Sequence, residues 1–147
     1  MKPANEIKIA IVSGAFWEEI VENLEKHCVA TLEKKGIDKN NIKIVRVPGS
    51  FEIPLLVKKL AKENKYDAII TFGAIHKGKT YHFELIANEC ARACMNLGLE
   101  FEVPVIFEVL AVYNIQDAYD RSTQVKDNRG VEAANAAWAV LESLDKV

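Results

Sequence analysis

Four short runs of aliphatic and β-branched residues, spread along the chain, most constrain what it can become. "IKIAIV" (Ile7–Val12), "NIKIVRV" (Asn41–Val47), "DAIITF" (Asp67–Phe72) and "VPVIFEVLAV" (Val103–Val112) have the length and composition of strands. Stretches of helical period separate them. "EEIVENLEKHCVATLEKKG" puts Ile20, Leu24, His27, Cys28 and Leu32 on one face and stops at Gly36, a residue suited to the position after a helix. His27 reads there as a satisfied core histidine. "LLVKKLAKEN" spaces Leu55, Leu56, Lys59 and Leu60 helically behind Pro54, which suits a first turn. A third helix is expected over Tyr81–Gly98, with Thr80 a plausible N-cap. The tail holds one or two more helices, broken around "STQVKDNRG".

Strand and helix in alternation are the grammar of a parallel sheet with right-handed crossovers. Strands that are apolar nearly throughout imply a sheet covered on both faces. The expected architecture is a three-layer α/β/α sandwich on a four-stranded parallel sheet, flavodoxin-like, in a single domain over residues 1–147. Half of the 147 residues are hydrophobic, enough for a core without disulfides or metal. A chain of this length buries roughly two thirds of its unfolded surface.

Nineteen basic and twenty-one acidic residues leave a formal charge of -2, with no basic footprint for nucleic acid or membrane. No apolar run approaches the ~20 residues that span a bilayer. The start, "MKPANEIKIAIVSG", lacks a signal-like apolar segment. Cys28, Cys90 and Cys94 have no framework spacing, which points to a reducing compartment, the cytoplasm by default.

In such a sheet ligands sit outside the carboxyl ends of the strands. Those ends are Ser13–Trp17, Pro48–Glu52, Gly73–His82 and Glu108–Asn114. In "GAIHKGKTYH" the residues Gly78, Lys79 and Thr80 precede a helix, where free N–H groups favour an anion. A full phosphate-loop pattern is absent, so an ordinary cap is the simpler reading of this segment alone. His82, in the first turn, is either a proton shuttle or an exposed helix histidine. His76 is either a pocket residue or a loop side chain. Cys90 and Cys94 share a helix face, but no second ligand pair completes a metal site, and buried apolar cysteine is the better reading. Gly49 permits a tight turn that brings Phe51 and Glu52 to the strand ends. Glu52 is either a hydrogen-bond acceptor for a polyol or a carboxylate at a helix start. Arg121 and Arg129 suit a phosphate if the tail folds back to a pocket, in this chain or a neighbour; otherwise they are solvated helix-end charges.

Taken in order, these segments resemble the lumazine synthase family over nearly the whole chain. "IVSGAFWEEI" is similar to the family's first strand and aromatic turn, and "VRVPGSFEIP" to its most recognisable motif. "GAIHKGKTYHFELIANE" resembles its phosphate loop and catalytic histidine, and "PVIFEVLAVYNIQDAYDRS" with "NRGVEAANAAWAVL" its last strand and C-terminal helices. "VPGSFEIP" and "GKTYHFE" in this order and spacing are far more specific than either alone.

The resemblance implies a reaction. The family condenses 5-amino-6-ribitylaminouracil with 3,4-dihydroxy-2-butanone 4-phosphate to 6,7-dimethyl-8-ribityllumazine, phosphate and water, the penultimate step of riboflavin biosynthesis, with no metal or organic cofactor. It implies that Phe16 stacks on the pyrimidine, and that Ser50, Phe51 and Glu52 line the ribityl and pyrimidine site. Ala74 and Ile75 offer backbone groups to the ring, Lys79 and Thr80 cradle the phosphate, and His82 moves protons. Phe107 and Arg121 arrive from the neighbouring subunit, and Arg129 stands where a lysine near the reaction centre is common. Trp17 and His76 join the substrate-binding residues, at positions where the family commonly has asparagine and an aliphatic residue. Glu108 replaces a usual glycine, so it should be exposed, paired or protonated. The family's sites lie between subunits of a homopentamer, and in many members twelve pentamers build a shell. A rival reading keeps the fold as a weakly active or inactive shell or scaffold. A second rival is a monomeric flavin or nucleotide binder, which leaves the "VPGSFEIP" turn without a role.

Overall fold

The computed structural model describes residues 1–147. Each apolar run forms a strand: β1 (Ile9–Gly14), β2 (Ile42–Val47), β3 (Ala68–His76) and β4 (Val105–Val112). The helices are α1 (Glu18–Lys34), α2 (Ile53–Lys62), α3 (His82–Phe101), α4 (Ile115–Thr123) and α5 (Arg129–Leu144). All neighbouring strands pair in parallel, in the order β2-β1-β3-β4, so the expected flavodoxin-like three-layer fold is what the chain adopts.

The period-2 alternation of each strand divides the core in two. Ile9, Ile11, Ile70, Phe72 and Leu110 face Leu24, Cys28 and Leu32 of α1 and Ala133, Ala134 and Ala137 of α5. Ala10, Val12, Ile69 and Val109 face Ile53, Val57 and Leu60 of α2 and Cys90, Cys94 and Leu97 of α3. Each large aliphatic or Phe side chain fully buried in this way contributes about 1.5–3 kcal/mol. The small alanines of α5 allow close approach to α1, the most extensive helix–helix contact in the fold.

Several local expectations shift. β3 does not stop at Phe72: Gly73, Ala74, Ile75 and His76 stay in the sheet, opposite Val109, Leu110, Ala111 and Val112. Pairing with β4 overrides the low strand propensity of glycine and alanine. The buried stripe of α2 is Ile53, Val57 and Leu60, whereas Leu55 and Lys59 point to solvent. Leu55 lies two residues past Ile53, about 200° around a helix of 3.6 residues per turn. α3 runs past Gly98 to Phe101 and ends at Glu102 in the left-handed conformation (φ 51°). His27 is half-buried rather than a core residue.

The topology fixes where a ligand can sit. From β1 the chain crosses by α1 to β2 on one side, then by α2 back over β1 to β3 on the other. The connections leaving β1 and β3 therefore diverge, and a crevice opens outside their carboxyl ends.

Candidate active site

That crevice is a cleft of ≈ 710 Å³. Phe16 and Trp17 from the end of β1 line it, with Pro48 to Glu52 after β2, Ala74 to His76 at the end of β3, and His82, Leu85 and Ile86 on α3. Two glycines explain how the segment after β2 reaches it. A Cβ on Gly14 would lie 2.8 Å from the Gly49 carbonyl carbon and the Ser50 nitrogen, and one on Gly73 would lie 2.6 Å from Ser50 Oγ. The turn therefore rests directly on the ends of β1 and β3, and only glycine leaves it room. A bond from Ala15 N–H to the Val47 carbonyl (2.9 Å) ties the two strand ends together. Ser50 is buried by this contact, while Phe51 and Phe16 stand out into the cleft, 61% and 74% exposed.

The aromatic wall is built from edges. Phe16 meets Trp17 at 5.7 Å between ring centroids and 75° between planes, and Trp17 meets His76 at 6.5 Å and 73°. Both are the T-shaped arrangement that the ring quadrupoles favour.

The loop from β3 to α3 is held at its two ends. Lys77 N–H donates to the Val112 carbonyl at 3.0 Å. Lys77 Nζ reaches Glu84 Oε1 at 3.1 Å and lies 5.6 Å from the Tyr113 ring. The Glu84 carboxyl is held below its ordinary value, first by its own backbone N–H and then by Lys77. Between these anchors Gly78, Lys79 and Thr80 are exposed. Thr80 is not the N-cap: Tyr81 occupies that position and its side chain makes no capping bond. The N–H groups of His82 and Phe83, which a side-chain cap would normally help to satisfy, keep their capacity to bind an anion, whereas that of Glu84 is taken by its own carboxylate. His82 is the first residue of that helix and faces the cleft.

Of the residues anticipated from sequence, Phe16, Trp17, Ser50, Phe51, Glu52, Ala74, Ile75, His76 and His82 come together around this one cleft. Lys79 and Thr80 stand on the loop beside it without lining it. Phe107, Arg121 and Arg129 lie elsewhere on the same chain. Phe107 is on β4, one of the sheet's two edge strands, beside a second hollow of ≈ 560 Å³ shared with Met95 and Leu99 of α3 and Val140 and Leu144 of α5. Arg121 is exposed on α4 and donates to the Asp117 carbonyl at 3.1 Å. Arg129 opens α5 and grips Glu108 with two hydrogen bonds. Sequence reasoning passed over Leu85 and Ile86. They follow His82 by three and four residues, the spacing that shares a helix face, and that period was the signal available.

No group of three or more His, Cys, Asp or Glu side chains gathers where a metal could bind. No helix is long and apolar enough to cross a membrane. The arrangement offers an aromatic surface for a flat ring, a carboxylate and hydroxyl for polar substituents, an anion-ready helix start and an imidazole between them.

Comparison with known proteins agrees in outline. The family model for 6,7-dimethyl-8-ribityllumazine synthase matches residues 6–145. A protein of that name from Ruthia magnifica subsp. Calyptogena magnifica is 40% identical over 145 residues, 95% of this chain and 87% of its own length. Another of that name, from Vesicomyosocius okutanii subsp. Calyptogena okutanii (strain HA), is 42% identical over 139 residues, 91% of this chain and 83% of its own.

Proposed function

The chain belongs to the 6,7-dimethyl-8-ribityllumazine synthase family, and from that premise we propose that its switch-point cleft condenses 5-amino-6-ribitylaminouracil with 3,4-dihydroxy-2-butanone 4-phosphate. The observation that carries this reading is the cleft itself, where one imidazole at an uncapped helix start faces an aromatic wall and a polar turn.

The roles are those that the family resemblance assigns to these positions, and the chemistry of the groups suits them. Phe16 stacks on the pyrimidine ring, and the backbone of Ala74 and Ile75 meets its edge. Ser50, Phe51 and Glu52 hold the ribityl chain, with the Glu52 carboxylate accepting from its hydroxyls. Lys79, Thr80 and the free N–H groups of α3 bind the phosphate. The pyrimidine amine then attacks the ketone carbonyl. Water leaves to give an imine, phosphate leaves, and the ribitylamino nitrogen closes the ring with loss of a second water. Holding two substrates in register supplies much of the acceleration. His82 accepts and returns protons during the dehydrations, and fixed cations offset the charge on the departing phosphate.

The same reading makes the working unit a homopentamer in the cytoplasm, with each site completed by a neighbour's Phe107, Arg121 and Arg129. The exposed apolar residues around Phe107, among them Met95, Leu99 and Leu144, support an edge that a second subunit covers. In many members of the family twelve such pentamers build a shell, and the particle mass decides whether this chain stops at the pentamer, pairs two of them or closes a shell.

The test is lumazine formation by the purified protein with both substrates and no added metal, followed by the product's absorbance and fluorescence. Turnover from a particle of five 16.4 kDa chains, or a multiple of it, is the expected result. A folded protein that makes no lumazine, or one that works as a monomer, overturns the catalytic or the oligomeric part respectively.

A further inference from the structure

His76 ends β3 with an exposed side chain, and it lines the cleft beside Trp17. Its backbone is fixed by register with Val112 on β4 and by the bond from Lys77 N–H to the Val112 carbonyl. Its ring is steadied by the indole edge of Trp17 at 6.5 Å. Trp17 is itself half-buried against the α1-side core, so the support is firm. Lys77, next in the chain, is engaged by Glu84. The imidazole nitrogens of His76 have no such partner in the chain.

An oriented imidazole at the rim of a largely apolar cleft can donate from one nitrogen and accept at the other. In such clefts a few placed polar groups fix ligand orientation, and a group already held in place loses little freedom on binding. The remaining polar side chains of the cleft have other work in the proposed reaction. Glu52 and Ser50 come from the turn after β2 and face the polyol, and His82 stands at the anion end. His76 lies against Trp17, which in turn meets Phe16, so it belongs to the aromatic end of the cleft. A pyrimidinedione stacked there turns an edge of alternating N–H and C=O groups toward it.

Resting on the condensation reading above, we infer that His76, buttressed by Trp17, hydrogen-bonds the polar edge of the heterocycle and is a specificity-determining residue for the pyrimidine substrate. The phosphate of the ketone goes, on the same reading, to the start of α3 rather than to the aromatic end.

The experiment measures KM for each substrate in the unaltered protein and in His76→Leu, His76→Gln and Trp17→Phe, with particle size checked for each. Loss of one neutral hydrogen bond predicts a rise of about 3- to 10-fold in the pyrimidine KM for His76→Leu. The ketone KM should stay within about twofold, the scatter expected where no contact is lost. His76→Gln, which keeps a donor and an acceptor, should recover most of the loss. Trp17→Phe, which keeps an aromatic edge but shortens it, should fall between. An unchanged pyrimidine KM in His76→Leu overturns the inference, as does an equal rise in both KM values, which would mark a general packing role. If the unaltered protein neither binds the pyrimidine nor makes lumazine, the condensation reading falls and this inference falls with it. Pyrimidine binding that survives His76→Leu intact defeats the inference alone.

Discussion

Arg129 donates from Nε and Nη2 to the two oxygens of Glu108, at 3.0 and 2.9 Å. The carboxylate lies on β4 with 7% of its surface exposed, and the arginine opens α5, so the pair ties that helix to the sheet. Of the three fates open to a charge at this strand position, the fold uses pairing. Burial pushes the Glu108 carboxyl above its ordinary value, and the bonds and charge of Arg129 pull it part of the way back.

Removing the arginine leaves the carboxylate buried and alone. Arg129→Met should destabilise the protein by about 3 kcal/mol at pH 8, the scale of a buried pair broken from one side. The orphaned carboxyl would titrate higher in the folded than in the unfolded chain. The folded state then binds the proton more tightly, so stability falls as pH rises through the folded value and returns as pH drops below it. Urea unfolding at pH 8 and pH 5.5 checks this. The loss should be smaller at pH 5.5, and an equal loss at both would contradict the charge argument.

The seat of the "PGSFE" turn gives a steric prediction. Gly14→Ala drives a methyl into the Gly49–Ser50 backbone, which cannot swing aside, whereas Gly73→Ala meets the Ser50 hydroxyl, which can rotate. Overpacking of this kind costs about 1–3 kcal/mol, and Gly14→Ala should lie at the upper end. Thermal melts of the two variants should rank in that order. Equal, unshifted melting points would mean that the turn does not rest on the strand ends in solution.

His82→Ala should slow lumazine formation by roughly 10²-fold or somewhat less, the usual worth of a positioned acid–base group. The loss should be partial, because alignment of the substrates remains. A turnover number equal to that of the unaltered protein would remove the proton-transfer role.

Arg121→Ala should weaken the phosphorylated ketone more than the pyrimidine, since a guanidinium suits phosphate and has no stacking part in the site. Within its own chain Arg121 meets only Asp117, through its backbone carbonyl and an exposed ion pair at 4.0 Å, so the fold should tolerate the change. Separate KM values for the two substrates decide the matter, and equal weakening would show that the cleft is not divided as proposed.

All three cysteines are unpaired and buried, Cys28 at 0% exposure and Cys90 and Cys94 at 1%. Burial, with the nearby Glu108 and Glu25 charges, pushes the Cys28 thiol well up; the hydrogen bond between Cys90 and Cys94 raises Cys94 and lowers Cys90, so Cys90 is protected by its burial alone. A thiol reagent should therefore label no cysteine quickly in the native protein and all three after denaturation. Rapid native labelling would show that the α1 or α3 face opens.

The layer order and the location of the cleft were legible in sequence because they depend on local period and on a topological rule. Apolar runs such as "IKIAIV" and "DAIITF", alternating with helical stripes, leave few arrangements besides a covered parallel sheet. Such a sheet concentrates function at its carboxyl ends, which is why Phe16, Ser50, Ala74 and His82 could be grouped before any contact was known. Tertiary structure decided what no local period encodes. Pairing with β4 drew Gly73–His76 into the strand, the docking of α5 gave Glu108 its arginine, and the crossing from β1 to β3 set Trp17 against His76. It also left Phe107, Arg121 and Arg129 away from their own chain's cleft. Each of these relations joins segments many residues apart, and its energy exists only once the layers have docked, when helix packing and strand register bring the partners within a few ångströms.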